Sequence, residues 1–260
     1  MDLELIKRIA TRAAQEAGDV LRSFHGNLKD VHKKGAIDLV TEADVASEQV
    51  IIEIIRGTFP EHGILAEESG ETKGDHRFQW IIDPLDGTTN FSHQLDLFAV
   101  SIAFALEGVL QAGVVFNPMS GELFEAAAGQ GATLNGRTIQ VSDGSKIQES
   151  LLVTGFPYDF KEIMPSLMAR FGKCLSASQG VRRLGSAALD LCFVASGRFD
   201  GFWEENLNPW DTAAGGLVLQ EAGGKATDFS GRPYRVDMKE ILATNGRIHE
   251  QMLSLMRLEV

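Results

Sequence analysis

An apolar triplet, Trp80-Ile81-Ile82, runs straight into Asp83-Pro84-Leu85-Asp86-Gly87-Thr88-Thr89-Asn90-Phe91, and this junction constrains the chain more tightly than any other stretch. Trp-Ile-Ile reads as the end of a buried strand. Pro84 blocks a ladder and a helix alike, so the strand is expected to stop at Asp83. Two carboxylates then sit three residues apart around a turn. Gly87 lets backbone come close to a ligand. If the chain turns helical after Gly87, the N–H groups of Gly87 and Thr88 are free donors with a positive dipole end behind them. One loop then offers metal-binding oxygens beside an anion-binding nest, the parts needed to hold a metal and a phosphate together. Asp, Pro and Gly are also ordinary turn formers, so the rest of the chain has to decide between the two.

With 260 residues, 44% apolar and 23% charged, the chain is long enough for one large or two modest soluble units with ample core. Its net charge of −12 opposes bulk attraction to nucleic acid or to anionic lipid, and neither partner is expected. The same charge opposes an anionic substrate, which needs cations at its site. Cys174 and Cys192 form no C-x-x-C pair, and a reduced, cytoplasmic protein without a disulfide framework is expected. Met1-Asp2-Leu3-Glu4 opens with neither a basic nor an apolar run, and no signal peptide is expected. The apolar run from Leu97 to Phe116 carries Glu107-Gly108 at its centre, which fits a buried hairpin and not a membrane span.

Leu5, Ile9, Ala13, Ala17, Val20 and Phe24 recur at helical spacing, and Gly26 ends the pattern. Leu39-Val40 look like a short strand, after which Thr41 caps a helix with Asp44 as its capping-box partner. Residues 63–69 read as a strand ending in Glu67 and Glu68, and residues 70–76 as a polar loop. From Phe98 to Val141 the turn signals predict a meander. Ser142-Asp143-Gly144-Ser145 marks a boundary, giving 1–143 as an α+β half with a mostly antiparallel sheet and 144–260 as an α/β half. In the second half, strands are expected at 150–155, 199–203 and 241–245. Helices are expected at 160–174, from a Ser186 cap to Gly197, from an Asp211 cap to Gly223, and at the terminus.

Carboxylates thus recur where strands stop or helices start: Asp44, Glu67, Asp83, Asp86 and Asp211. In layered α/β folds such ends converge on ligands. Clustered carboxylates repel one another and stay ionised chiefly when a cation holds them. All-oxygen ligation favours Mg²⁺, Mn²⁺ or Ca²⁺ over zinc, and the six histidines form no zinc-type pair. A P-loop and a G-x-S-x-G elbow are both absent from the sequence. Gly129-Gln130-Gly131 lacks a third glycine at position 134 and reads as a turn.

At this point the chain resembles the inositol monophosphatase family of the Mg²⁺-dependent, lithium-sensitive phosphatases, nearest its bacterial type. The resemblance covers Asp38-Leu39-Val40-Thr41-x-x-Asp44, Glu67-Glu68-Ser69, Asp83 to Phe91, Gly185-Ser186-Ala187-Ala188 and Trp210-Asp211-x-Ala213-Ala214-Gly215, in order and over nearly the full length. It implies a layered α-β-α-β-α sandwich of the sugar and inositol phosphatase type, combining α+β and α/β halves with the site between them, and a homodimer. It also implies two to three Mg²⁺ ions, with Mn²⁺ as a substitute. One ion would be held by Glu67, Asp83 and the Leu85 carbonyl, and a second by Asp83, Asp86 and Asp211.

The resemblance further implies that Glu67 and Thr88 orient the attacking water and that Asp44 sets the direction of the Thr88 proton. Gly87 and Thr88 N–H groups would hold phosphate oxygens, and Asp211 would hold a water that protonates the leaving alkoxide. Asp86, Gly185, Ala187 and Glu204 would hold the alcohol portion, since vicinal hydroxyls need paired acceptors and donors. Lys34 lies either near the metal and phosphate cluster or in an exposed loop. Arg183 serves structure or a subunit contact. The implied activity is hydrolysis of inositol-1-phosphate and related polyol phosphates. The alternatives are histidinol phosphate, fructose-1,6-bisphosphate or 3′-phosphoadenosine nucleotides, or a role as a regulatory partner of transcription or RNA machinery.

Overall fold

In a computed structural model of the chain, the described residues are 2–27, 31–33, 39–157 and 160–258. Lys34 and Asp38 lie outside them. The first amphipathic pattern forms α1 (Leu3–Phe24), whose buried stripe runs from Ile6 through Ala13 and Ala17 to Leu21. A two-stranded ribbon of β1 (Val31–Lys33) and β2 (Leu39–Thr41) leads into α2 (Glu42–Thr58). Thr41 caps α2 and Asp44 completes the capping box, as the spacing predicts.

Eight strands make the larger sheet. They are β3 (His62–Ala66), β4 (Gly70–Thr72), β5 (Asp75–Asp86), β6 (Ala99–Leu106), β7 (Val109–Asn117), β8 (Glu122–Ala127), β9 (Ala132–Leu134) and β10 (Arg137–Thr138). Their spatial order is β10-β9-β8-β7-β6-β5-β3-β4, and only β3 and β5 run parallel. The predicted meander is therefore present, and Leu97–Phe116 forms its first hairpin. Two expectations fail here. Residues 70–76 are not a loop, because β4 pairs back on β3 and β5 already begins at Asp75. Nor does the strand stop at Asp83. It continues through Pro84 to Asp86, with three steps on β5 facing two on β6. That extra residue is a bulge, and a bulge accommodates a proline because it needs no ladder donor. A five-residue helix, α3 (Thr88–Ser92), follows Gly87, whose φ of 99° only glycine adopts readily.

The second sheet has the order β12-β11-β13-β15-β14. Here β11 (Leu151–Thr154) runs parallel to both β12 (Gly180–Arg182) and β13 (Gly201–Glu205), while β15 (Glu240–Thr244) is antiparallel to β13 and β14 (Lys225–Thr227). Helix α4 is Met164–Ala177, later than the expected 160–174, because Pro165 belongs in a first turn. Helix α5 is Ala187–Ala195 with Ser186 as its cap. Helix α6 is Pro209–Glu221 and α7 is His249–Met256. Asp211 does not cap α6: Asn208 does, Pro209 opens the helix, and Asp211 is the third helical residue of a capping box.

Strand parity sorts the core into layers. Trp80, Ile82, Ile102, Phe104 and Val114 face α1 and α2. Ile81, Ala103, Val115 and Phe124, the alternate positions, face α5 and α6. Val153, Phe202 and Ala243 of the smaller sheet meet the same two helices from the far side. Leu152, Trp203 and Leu242 face outward onto Cys174 of α4 and Met252 of α7. The result is α, β, α, β, α, with α5 and α6 as the shared middle layer. Each large side chain so buried contributes roughly 1.5–3 kcal/mol. Both cysteines are buried and free. Among the described residues no helix is long and apolar enough to cross a membrane.

Candidate active site

A cavity of about 540 Å³ opens between the two sheets. Glu67, at the end of β3, Asp86 and Gly87, at the end of β5, and Asp211, in the first turn of α6, line it together with Gly185, Ser186, Ala187 and Glu204. Residues from five separate stretches of sequence thus share one wall. Asp44, Asp83, Leu85 and Thr88 are buried in the same region without lining the cavity.

Local structure explains each placement. The β5 bulge brings Asp83 and Asp86 to the strand end, and the Asp83 Oδ1 accepts the Leu85 N–H at 3.0 Å. The N-terminus of α5 docks on Asp86, whose Oδ2 accepts the Ser186 hydroxyl at 2.6 Å and the Ala188 N–H at 2.7 Å. The positive helix end suits that carboxylate. Asp211 Oδ2 accepts the Asn208 N–H at 2.7 Å. Thr88 Oγ1 lies 3.3 Å from Asp44 Oδ1 and 3.2 Å from the Leu85 carbonyl, both acceptors for its one proton. Asp44 in turn accepts the Thr41 N–H and hydroxyl, so its cap role and its link to Thr88 coexist. Asn90 closes the assembly by donating to Leu97 and Leu184 carbonyls, tying the Asp83–Phe91 segment to the loop before α5. At Gly87 a Cβ would press against the Leu97 and Gly185 carbonyls, so space as well as φ requires glycine.

Burial and mutual repulsion raise the carboxyls of this cluster together. Asp83 is 2% exposed, and burial, then Glu67, Asp86 and Asp211, push its carboxyl well above the usual range. Burial raises Asp86 to about 6, against the hydrogen bonds from Ser186 and Ala188 that favour its charge. Burial raises Asp211 to about 7 and Asp44 to about 6. Glu204 is 8% exposed, and burial followed by the charges of Asp211 and Asp86 raises it as well. The cationic side chains on this wall are Arg183 and Lys239, too few for so many carboxyls and a phosphate besides. An all-oxygen set of this kind suits Mg²⁺. Among the described residues no three His, Cys, Asp or Glu side chains already converge as a metal cage. The bonds just given engage one oxygen of each of Asp83, Asp86 and Asp211.

Three site features escape sequence reasoning. Arg183, expected to serve structure or a subunit contact, lines the cavity with its guanidinium 5.8 Å from the Phe156 ring centre. Asp190 in α5 is fully buried, and neither carboxyl oxygen has a hydrogen-bond partner in this structure. Burial, then Glu204 and Asp86, hold its carboxyl well above the usual range. Gly155, at the end of β11, also lines the cavity. Its only sequence signal was a strand end.

Residues 2–259 match the Inositol monophosphatase family. An inositol-1-monophosphatase of Synechocystis sp. is 47% identical over 253 residues, covering 96% of this chain and 88% of that protein. A Nus factor SuhB of Salmonella typhimurium is 46% identical over 255 residues, covering 97% and 96%. The solved structure of inositol monophosphatase from Anabaena (Nostoc) sp. superposes with a TM-score of 0.90 at 48% identity, covering 98% of this chain and 96% of that one. The extragenic suppressor protein suhB of Bartonella henselae gives 0.94 at 39% identity, covering 98% and 100%. With the family match running from residue 2 to residue 259, the protein belongs to the inositol monophosphatase family.

Proposed function

We propose that the protein is a Mg²⁺-dependent phosphomonoesterase that hydrolyses inositol-1-phosphate, and related polyol phosphates, to the free alcohol and phosphate. The observation that carries this is Asp83, buried within the field of Glu67, Asp86 and Asp211 beside a cavity that Glu204 also lines. Glu67, Asp83, the Leu85 carbonyl, Asp86 and Asp211 would hold two to three metal ions, with Mn²⁺ as a substitute. When bound, the metal supplies Lewis acidity toward water and phosphate.

The chain's own groups do the rest. Thr88 and Glu67 orient the attacking water, and Asp44, 3.3 Å from the Thr88 hydroxyl, sets the direction of its proton. Backbone N–H groups of Gly87 and Thr88 hold phosphate oxygens where charge develops. Asp211 steadies a water that protonates the leaving alkoxide. Asp86, Gly185, Ala187 and Glu204 grip the hydroxyls of the alcohol. We take the working unit to be a homodimer in the reduced cytoplasm, in keeping with the family pattern and the free cysteines.

Phosphate release from inositol-1-phosphate, histidinol phosphate, fructose-1,6-bisphosphate and 3′-phosphoadenosine 5′-phosphate, with and without Mg²⁺ and with added Li⁺, tests the assignment. Mg²⁺-dependent preference for inositol-1-phosphate is expected. Preference for another ester would move the substrate and keep the chemistry. A second role, as a binding partner of transcription or RNA machinery, draws on the relatives that carry the name Nus factor. Silence on every ester would make that role the principal one.

A further inference from the structure

Gly155 directly follows β11 and lies beside Glu204 of β13. The parallel register pairs Leu152 with Gly201, Val153 with Phe202 and Thr154 with Trp203, which puts Gly155 opposite Glu204. The buried Thr154 hydroxyl donates to the Trp203 carbonyl at 2.7 Å and fixes the two strand ends against each other. A Cβ built on Gly155 would meet Glu204 first: its three nearest atoms would be the two carboxylate oxygens and the carbon between them, all closer than real Cβ contacts come. The φ of Gly155 is not in the left-handed region, so its backbone is open to any residue. What excludes a side chain here is the Glu204 carboxylate, which occupies the space a methyl would take.

We propose that Gly155 is a specificity-determining position, whose missing side chain forms the seat that aims the Glu204 carboxylate at the hydroxyls of a polyol leaving group. The proposal rests on the phosphomonoesterase assignment and names how that site selects its alcohol. Gly155 touches no reacting atom and acts through Glu204. The group displaced by a methyl is the far end of a flexible side chain, not backbone, so the fold accommodates Gly155→Ala while the carboxylate leaves its seat.

The test is kcat and KM for inositol-1-phosphate and for phenyl phosphate, at saturating Mg²⁺, in the wild type, G155A, E204A and G155A/E204A, with a thermal melt of each. In G155A the loss in kcat/KM on inositol-1-phosphate should exceed the loss on phenyl phosphate by about tenfold or more, mostly through KM. In the E204A background the same methyl should change inositol-1-phosphate turnover by less than about twofold, since its target is gone. Equal losses on both esters, or full additivity of the two substitutions, would overturn the proposal and leave the hydrolase intact. Should G155A melt far below the wild type, the E204A pair decides: G155A/E204A melting with E204A supports the proposal, and a second full drop overturns it. A wild type that cleaves neither ester would overturn the phosphomonoesterase assignment itself, and the proposal with it.

Discussion

Asp83 is costly to keep as an anion, since it is buried and faces the charge of Glu67, Asp86 and Asp211. A fold keeps such a group when a ligand compensates it. Replacing Asp83 with Asn, or Glu67 with Gln, should lower kcat by at least about two orders of magnitude, on the order of 3 kcal/mol. Initial rates at saturating Mg²⁺ check this, and wild-type turnover in either variant would remove the metal role. His249 gives a prediction about stability instead. It is fully buried between the Thr227 and Thr244 hydroxyls, at 3.0 and 2.9 Å, and burial pushes it down to about 4. The unfolded chain takes up that proton near pH 6.5, so the stabilisation is complete above pH 6.5 and is lost as the pH falls toward 4. Between pH 7 and pH 4.5, urea unfolding should show a loss smaller in His249→Asn than in the wild type, by on the order of 1–2 kcal/mol. The carboxylates at the end of β5 were legible in the sequence because Asp83 and Asp86 sit in one short segment with Leu85, Gly87 and Thr88. Asp190 and Gly155 were not, because their meaning comes from Glu204, which lies far away in the chain and alongside only in the folded sheet.

At the level of elements, periodicity and caps revealed most of the architecture. The helices α1, α2 and α5, the hairpin of β6 and β7, and the late strand β15 follow from apolar spacing and from Gly26, Thr41 and Ser186. The three-residue strands β4, β12 and β14 are too short to carry a period of their own, and partner strands fix them. Pro84 misled for a physical reason: alone it ends a strand, but a neighbour one residue out of step lets the strand pass through. The α2 cap offers a separable test. Thr41→Ala should cost about 1 kcal/mol in stability, and Asp44→Ala should lose both that stability and most of the turnover, because Asp44 also bonds Thr88. Chemical denaturation and rates measured side by side would show the split. Gly215 marks the contact of α6 with α5, where a Cβ would come within 2.9 Å of the Leu191 Cβ and 3.1 Å of the Ala188 carbonyl. Gly215→Ala should cost about 1–3 kcal/mol through overpacking, read as a lowered urea midpoint with an unchanged slope.

Across the whole molecule, the site belongs to both sheets at once. Glu67, Asp83 and Asp86 come from the larger sheet, Glu204 from the smaller one, and Asp211 from the helix layer between. A ligand held by carboxylates from these layers should clamp them together. Mg²⁺ at about 100 times its dissociation constant should stabilise the fold by roughly 2.7 kcal/mol. That corresponds to a rise of about 2–4 °C per kcal/mol for a chain of this size class, and Asp83→Asn should largely abolish it. A melt series in Mg²⁺ against excess chelator measures this without reference to turnover. The middle layer also bears on how the chain is made. The inner face of the larger sheet, with Ile81, Ala103, Val115 and Phe124, is finished at Thr138, but the helix that covers much of it ends only at Glu221. At the usual ~5–20 residues per second of translation, that apolar face waits roughly 4–16 s on the ribosome before its cover exists. During that interval the nascent chain is a natural client for a holding chaperone.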